Sequence, residues 1–397
     1  MIIRANTIIT GDGKTVLKNG GVRVKEGRIA AVGMADDLAR ENPADEIVDY
    51  GEATILPGLI DMHLHLAYWD SRKDEKLYTP HLVSYLALYN ARKMLFGGVT
   101  TLRDAFCPDA VCRQLILASQ KGFVMVPRII HCNRALTITG GLDWNIDGTV
   151  QVDGAQAIRK AVREEMRAGA SWIKAMTSWR TEGVAEFDQD ELNMIVGEAH
   201  RRGLKAMAHA THEPSLRMCI DAGFDTIEHG THLTVDDAKE MAEKNIALVP
   251  TIYVHKALHG RLVEKQRGGI KLTPREEETV RLYGKSLEAY KNNLPEIFET
   301  SLKILAGTDC PFDGLEDITV AWEMECLVEL GMSPVRAIAS GTSVSAEVLG
   351  LSGEIGVLSP GLAADIIIAD KNADTDITAL KRIRDVYLGG KKVHREI

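Results

Sequence analysis

The stretch Pro57-Gly58-Leu59-Ile60-Asp61-Met62-His63-Leu64-His65 decides how this chain is read. An apolar run behind Pro-Gly predicts a strand, here Ile55–His65. Side chains alternate along a strand, so His63 and His65 point the same way, two residues apart. Two neutral imidazoles on one face can chelate a cation of the zinc type, while Met62 and Leu64 face a surrounding layer. Alone, the pair reads equally well as two histidines bonded to their neighbours.

Downstream, further strand-like runs recur at Thr100–Asp104, Arg128–Asn133, Ser171–Met176, Lys205–His209, Asp225–His229, Ala247–Tyr253 and Lys303–Asp309. Helical patterns fall between them, as at Ala155–Ala168, Asp190–Arg202 and Val235–Lys244. Strands alternating with helices signal parallel units. Eight of them predict an α/β fold, a (β/α)8 TIM-like barrel over residues 55–355. No GxGxxG follows any strand, which disfavours a nucleotide-binding open sheet. Both ends of the chain read instead as short strands and turns: Ala5–Thr10, Gly21–Lys25 and Arg28–Gly33 before the barrel, Ala364–Ala369 and Arg384–Val393 after it. Neither end has apolar surface enough for its own core. Residues 1–54 and 356–397 are therefore expected to combine into one small β-sandwich.

The balance of 45% hydrophobic and 26% charged residues is that of a globular protein. A formal charge of -9 disfavours nucleic acid and anionic membrane as partners. No run approaches the roughly 18 apolar residues of a membrane span. The opening residues Met1–Asn6 lack the charged and apolar regions of a secretory signal, so a cytoplasmic location and a small-molecule substrate are the default expectations. Cys107, Cys112, Cys132, Cys219, Cys310 and Cys326 form no CxxC pair and read as ordinary thiols.

Barrel enzymes carry their functional groups where strands end and loops open. His209 ends the fifth strand, Glu228-His229 the sixth and Asp309 the eighth, so four histidines and an aspartate gather at one rim. Such a set predicts a metal centre. Lys174 lies mid-strand in Ser171-Trp172-Ile173-Lys174-Ala175-Met176, where an unpaired ammonium is costly and tends to lose its proton. A neutral lysine amine can combine with carbon dioxide into a carbamate, and that carboxylate can bridge two cations. The plain alternative is a lysine paired with a carboxylate on the barrel floor.

These pieces together resemble the amidohydrolase superfamily, near its Xaa-Pro dipeptidase and imidazolonepropionase-like branch. The resemblance runs almost end to end. It includes Pro57–His65, Gly97-Gly98-Val99-Thr100-Thr101-Leu102-Arg103-Asp104, Thr139-Gly140-Gly141, Trp172-Ile173-Lys174 and Ala208-His209-Ala210. It continues through Ile227-Glu228-His229-Gly230, Val249-Pro250-Thr251, Ala306-Gly307-Thr308-Asp309 and Pro360-Gly361-Leu362-Ala363-Ala364-Asp365. It implies that His63 and His65 bind a buried metal, that carboxylated Lys174 bridges, and that His209 and His229 hold a second metal. Two divalent ions, zinc the expected one, would share and acidify a water that attacks an amide carbonyl. Asp309, a ligand of the first metal, would take that proton and return it to the departing nitrogen. Tyr253 is a candidate to hold the oxyanion or anchor substrate. The resemblance implies a dipeptide or N-acyl amino acid as substrate. Homo-oligomers are common among the proteins it resembles.

The chain departs from that pattern in its loops. Dipeptide-cleaving members carry a histidine after Thr-Gly-Gly that holds a substrate carboxylate; here Leu142 follows, then Asp143-Trp144. After the lysine strand stands Thr177-Ser178-Trp179-Arg180. Arg180 is a candidate replacement anchor, and Trp144 and Trp179 are candidates to line a pocket for a bulky group. His212 and His232 lie three residues beyond proposed ligands and read as exposed or locally bonded loop residues, with contact to a ligand or to substrate as the alternative. His81, His200, His259 and His394 are expected on the surface, and His131 and His255 lie near strand ends. The charged stretch Pro274–Lys303 reads as a solvated helix face. Two rival readings stay open at this point. One is a one-metal deaminase, or a cyclic-amide or carbamate hydrolase, in which Lys174 has no bridge to make. The other is a catalytically inactive scaffold on the same fold, which would be expected to have lost ligands.

Overall fold

The computed structural model describes residues 1–67, 79–178, 183–312 and 315–394. Both ends of the chain meet in one continuous ladder of eight strands. At its centre Ile2–Ile9 runs antiparallel to Val16–Lys25 and parallel to Ile47–Asp49 and Thr54–Pro57. Ile366–Ala369 joins antiparallel to Thr54–Pro57, tying the last fifty residues to the first. Between Val16–Lys25 and Arg28–Met34 the turn is Glu26-Gly27, with φ of 52° and 78°. Two left-handed residues match the twist of a tight hairpin, and glycine takes the second place without penalty. Alternate residues Ile3, Ala5, Val22, Val24, Ile366 and Ile368 fill the core of this layer.

The run Ile55–His65 is two strands. Thr54–Pro57 belongs to the terminal sheet, and Leu59–Leu64 starts the parallel part of the molecule. Gly58 marks the crossing: its N–H donates to Asp365 O at 2.9 Å, and a Cβ there would lie 2.0 Å from Thr100 Oγ1. An unbroken apolar run cannot show that change of sheet, because both halves are buried.

Leu59–Leu64, Val99–Asp104 and Arg128–His131 form one parallel sheet. Thr149–Gln151, Ala135–Thr137, Trp172–Met176, Lys205–Ala210, Thr226–His229 and Ala247–Val249 form another in that order. The expected strand Lys303–Asp309 is not a regular one; only Ile304 bridges, to Leu248. Its backbone nevertheless bonds on both sides. Leu305 N–H donates to Leu248 O (2.8 Å), Met62 N–H to Ala306 O (2.9 Å) and Asp309 N–H to His63 O (2.7 Å). At the opposite edge Ser171 N–H donates to His131 O at 3.1 Å.

Helices pack outside these strands on apolar stripes. Gly154–Arg167 buries Ile158, Ala161, Val162 and Glu165, the spacing of one helical face. Gln189–Arg201 and Val235–Glu243 open with capping boxes, Asp188 with Glu191 and Thr234 with Asp237, which satisfy their first N–H groups. The charged stretch expected to be a solvated face is a 24-residue helix, Pro274–Ile297, that buries Leu282, Ser286, Tyr290, Leu294 and Ile297. Ala247–Tyr253 also differs from expectation: the strand stops at Val249, and Thr251 caps a helix over Ile252–Arg267. No helix among the described residues is long and apolar enough to cross a membrane.

Candidate active site

Strand register places the first group of side chains. Lys174 pairs with Met207, Met176 with His209 and His209 with Glu228, so Lys174, His209 and Glu228 share one face. His229 follows Glu228 and by alternation would point away. Its φ of 70° turns it back, and its ring lies 4.5 Å from that of His209 and 5.3 Å from that of His63. Thr251 (φ 50°) and Asp309 (φ 55°) are turned in the same way at their own rim positions. Left-handed backbone on residues other than glycine costs on the order of 1–3 kcal/mol each and collects at functional sites. Three such residues at one rim mark this end as the working one.

Leu59–Leu64 brings in His63 and leads to His65, whose Nε2 atoms lie 3.4 Å and 3.0 Å from Asp309 Oδ1. His63, His65 and Asp309 offer ligand atoms within 4.8 Å of one another. His63 Nδ1 is 2.5 Å from Glu228 Oε2, and His229 Nδ1 is 2.7 Å from Thr251 Oγ1, so each ring is oriented from behind. His209 Nε2 is buried with no hydrogen-bond partner. Lys174, 1% exposed, makes no hydrogen bond among the described residues, and burial lowers its pKa against the pull of Glu228 and Asp309.

Four residues that sequence reasoning passed over hold this group in place. Arg103, fully buried, donates to Glu228 Oε1 (2.8 Å), Glu228 Oε2 (3.0 Å), Thr226 Oγ1 (3.0 Å) and Met62 O (2.7 Å), with its guanidinium over the Trp172 ring. Burial alone would raise the Glu228 carboxyl; Arg103 and His63 hold it down at about 2. Asp61 accepts from Thr308 Oγ1 (2.8 Å) and from the N–H groups of Thr308 and His63 (3.1 Å each), which pins the 303–310 segment beneath the imidazoles. Burial pushes Asp61 up to about 7. Glu323 accepts from Ile252 N–H (2.9 Å) and Tyr253 N–H (2.8 Å), and burial pushes it up to about 8. The signal for Arg103 was in the sequence, as a charged residue inside an apolar strand; its partner lies 125 positions away.

Burial drives His209 and His229 well below the ordinary histidine range. Asp309 stays well below the carboxylate range, because His63 and His65 outweigh its own burial. His209 and His229 thus present neutral imidazole nitrogens beside an ionised carboxylate. That donor set, with the unpartnered His209 Nε2 and an unbonded lysine amine, fits divalent cations of the zinc class.

The outer candidates are scattered. Tyr253 lies on the first turn of Ile252–Arg267 instead of a strand end, its ring 5.2 Å from that of Trp322. Burial raises its hydroxyl to about 12, and the charged or polar groups it senses are Cys310, Cys326 and Glu325. Trp144 is 46% exposed. Leu142 N–H donates to both oxygens of Glu186, at 3.0 and 3.1 Å, so a carboxyl already occupies that turn. Trp179 and Arg180 lie outside the described residues. His131, near a strand end, is buried; His212 is buried as well, with neither ring nitrogen hydrogen-bonded among the described residues, against the expectation of an exposed or locally bonded loop residue.

Comparison with known proteins bears on the family and the fold. Ochratoxinase of Aspergillus niger is 26% identical, over 98% of this chain and 86% of its own length. Imidazolonepropionase of Geobacillus sp. (strain WCH70) is 24% identical, over 89% and 84%. The crystal structure of a Xaa-Pro dipeptidase with bound methionine superposes with a TM-score of 0.84, at 24% identity over 99% of each chain. The model of the amidohydrolase family matches residues 54–393, from the strand before Gly58 through the last ladder of the terminal sheet. The chain belongs to the amidohydrolase family, hydrolases of carbon–nitrogen bonds.

Proposed function

We propose that this chain hydrolyses an amide-type C–N bond in a small molecule, of the dipeptide or N-acyl amino acid class, with two divalent cations, zinc the expected ion. Leu59–Leu64, Val99–Asp104, Arg128–His131, Trp172–Met176, Lys205–Ala210, Thr226–His229, Ala247–Val249 and the 303–310 segment are read as eight staves of one barrel with this centre at its mouth, and the terminal sheet as a second domain.

One contact carries the reading. His63 gives its Nδ1 proton to ionised Glu228, which leaves a lone pair on Nε2. That lone pair faces Asp309 Oδ1, also an acceptor, at 3.4 Å. In that tautomer of the neutral ring two acceptors face each other and a cation between them relieves the repulsion; a doubly protonated ring would instead donate to both carboxylates. His63, His65 and Asp309 would hold one ion, and His209 and His229 the other. Lys174 would join them as its carbamate, which its buried, deprotonation-prone amine favours.

Bound cations would polarise the substrate carbonyl and acidify water. Asp309 then serves as proton carrier: its carboxylate takes the water's proton and delivers it to the leaving nitrogen. Glu228 and Arg103 keep His63 fixed through that cycle, and Thr251 does so for His229. The relatives named for dipeptide cleavage support the substrate class, whereas Glu186 at the Leu142 turn argues that a substrate carboxylate is not held there. The test is hydrolysis of a dipeptide and N-acyl library by metal-loaded protein, with free-acid substrates beside their amides. Cleavage of an amide bond in step with two bound ions supports the proposal. One ion per chain, unaffected by Lys174→Ala, would replace it with one-metal chemistry.

A further inference from the structure

His255 is 6% exposed, and its Nδ1 is enclosed without a hydrogen-bond partner. Its ring stacks on Tyr290, with centroids 5.7 Å apart and planes 16° from parallel, and lies 4.6 Å from Tyr283. On the other side it is 6.2 Å from the His229 ring, and it senses the charge of Asp309. Tyr290 is itself anchored: its hydroxyl donates to Pro250 O at 2.8 Å and reaches His229 O at 3.1 Å. The same tyrosine therefore fixes the plane of His255 and the left-handed turn that presents His229.

A buried polar group without a partner costs roughly 1–3 kcal/mol, and such groups are rare enough to need a reason. His209 Nε2 has one, as a metal ligand. His255 is not part of that set: it stands on a helix behind the ring, not at a strand end. An imidazole carries at least one N–H in every tautomer, so the His255 ring can donate. Fixed N–H donors beside a reacting carbonyl are worth most where charge develops.

We propose that His255 is the hydrogen-bond donor to the substrate's carbonyl oxygen as that oxygen gains negative charge, on the His209–His229 side of the centre. This rests on the amide-hydrolysis reading and adds a residue to it. Tyr253 is two residues earlier on the same helix, about 200° around its axis, and packs on Trp322. The role expected of Tyr253 falls to His255.

The experiment compares wild type, His255→Ala and His255→Gln in two assays, each with metal content measured. In the first, cobalt-loaded protein is titrated with methylphosphonate, a tetrahedral oxyanion, and read by the cobalt absorption spectrum. In the second, kcat and KM are measured on an amide that the wild type cleaves. His255→Ala should weaken methylphosphonate binding at least tenfold and lower kcat about 10²–10³-fold, with metal content unchanged and KM within about threefold. His255→Gln, which keeps an N–H donor, should recover part of both. If wild type binds the anion and cleaves no amide, the amide reading falls and the donor assignment is judged on binding alone. The assignment is overturned if His255→Ala binds within twofold of wild type, if wild type does not bind, or if only metal content changes.

Discussion

Glu228 Oε2 lies 2.5 Å from His63 Nδ1, and the same carboxylate accepts both terminal contacts of Arg103 Nη2. One buried anion thus neutralises a guanidinium and orients an imidazole of the candidate metal centre. Groups that orient a ligand from behind are typically worth about 10–100-fold in metal affinity. Glu228→Gln keeps the shape and removes the charge. Its affinity for zinc, measured by competition with a chromophoric chelator, should fall by that factor; an unchanged affinity would remove Glu228 from the centre's support.

Lys174 gives an opposite pair of expectations. Its amine is buried and unbonded, so in metal-free protein it contributes little that an apolar side chain would not. Lys174→Met should leave the metal-free unfolding midpoint unchanged or raised. After metal loading, elemental analysis should find one ion per chain where the wild type holds two. Two ions retained by the variant would end the bridging role.

The gathering of the candidate ligands at one rim was legible because both of its devices are local. Period-two alternation puts His63 with His65, and barrel logic sends His209, His229 and Asp309 to strand ends. The supports were not legible, because Arg103 and Glu228 meet across 125 positions and nothing near either names the other. Tyr253 and His255 show a subtler limit. Reading a strand through Tyr253 placed its side chain at the rim. The chain turns at Thr251 and enters a helix at Ile252, and the phase change brings the His255 ring to 6.2 Å from that of His229. The apolar run at Gly58 hid a change of sheet for a related reason: burial reports depth and not partners.

Asp309 combines an unusual backbone with the proposed role of proton carrier, and the two can be separated. Its φ of 55° is tolerated by asparagine better than by most residues. Asp309→Asn should therefore fold normally, with an unchanged circular dichroism spectrum. Without a carboxylate to carry the proton, kcat should drop about 10²–10⁴-fold. Retention of more than a tenth of wild-type turnover would assign the proton transfer to another group.

Away from the centre, His131 offers a pH prediction free of metal effects. It is 3% exposed at the end of Arg128–His131, its Nδ1 has no partner, and burial, aided by Arg113, pushes its pKa down to about 4 from the ordinary 6.5. The unfolded chain takes up this proton first as the pH falls. The folded state therefore loses stability from pH 6.5 down to about 4 and no further, at up to about 1.4 kcal/mol per unit. Asp61 and Glu323, raised by burial to about 7 and about 8, act in the other direction, but equally in wild type and variant. Urea unfolding of metal-free wild type and His131→Leu at pH 7 and pH 5 cancels those terms. The variant should gain about 2 kcal/mol on wild type between the two pH values. A stability difference that stays constant across that interval would mean that His131 is charged, and paired, inside the folded protein.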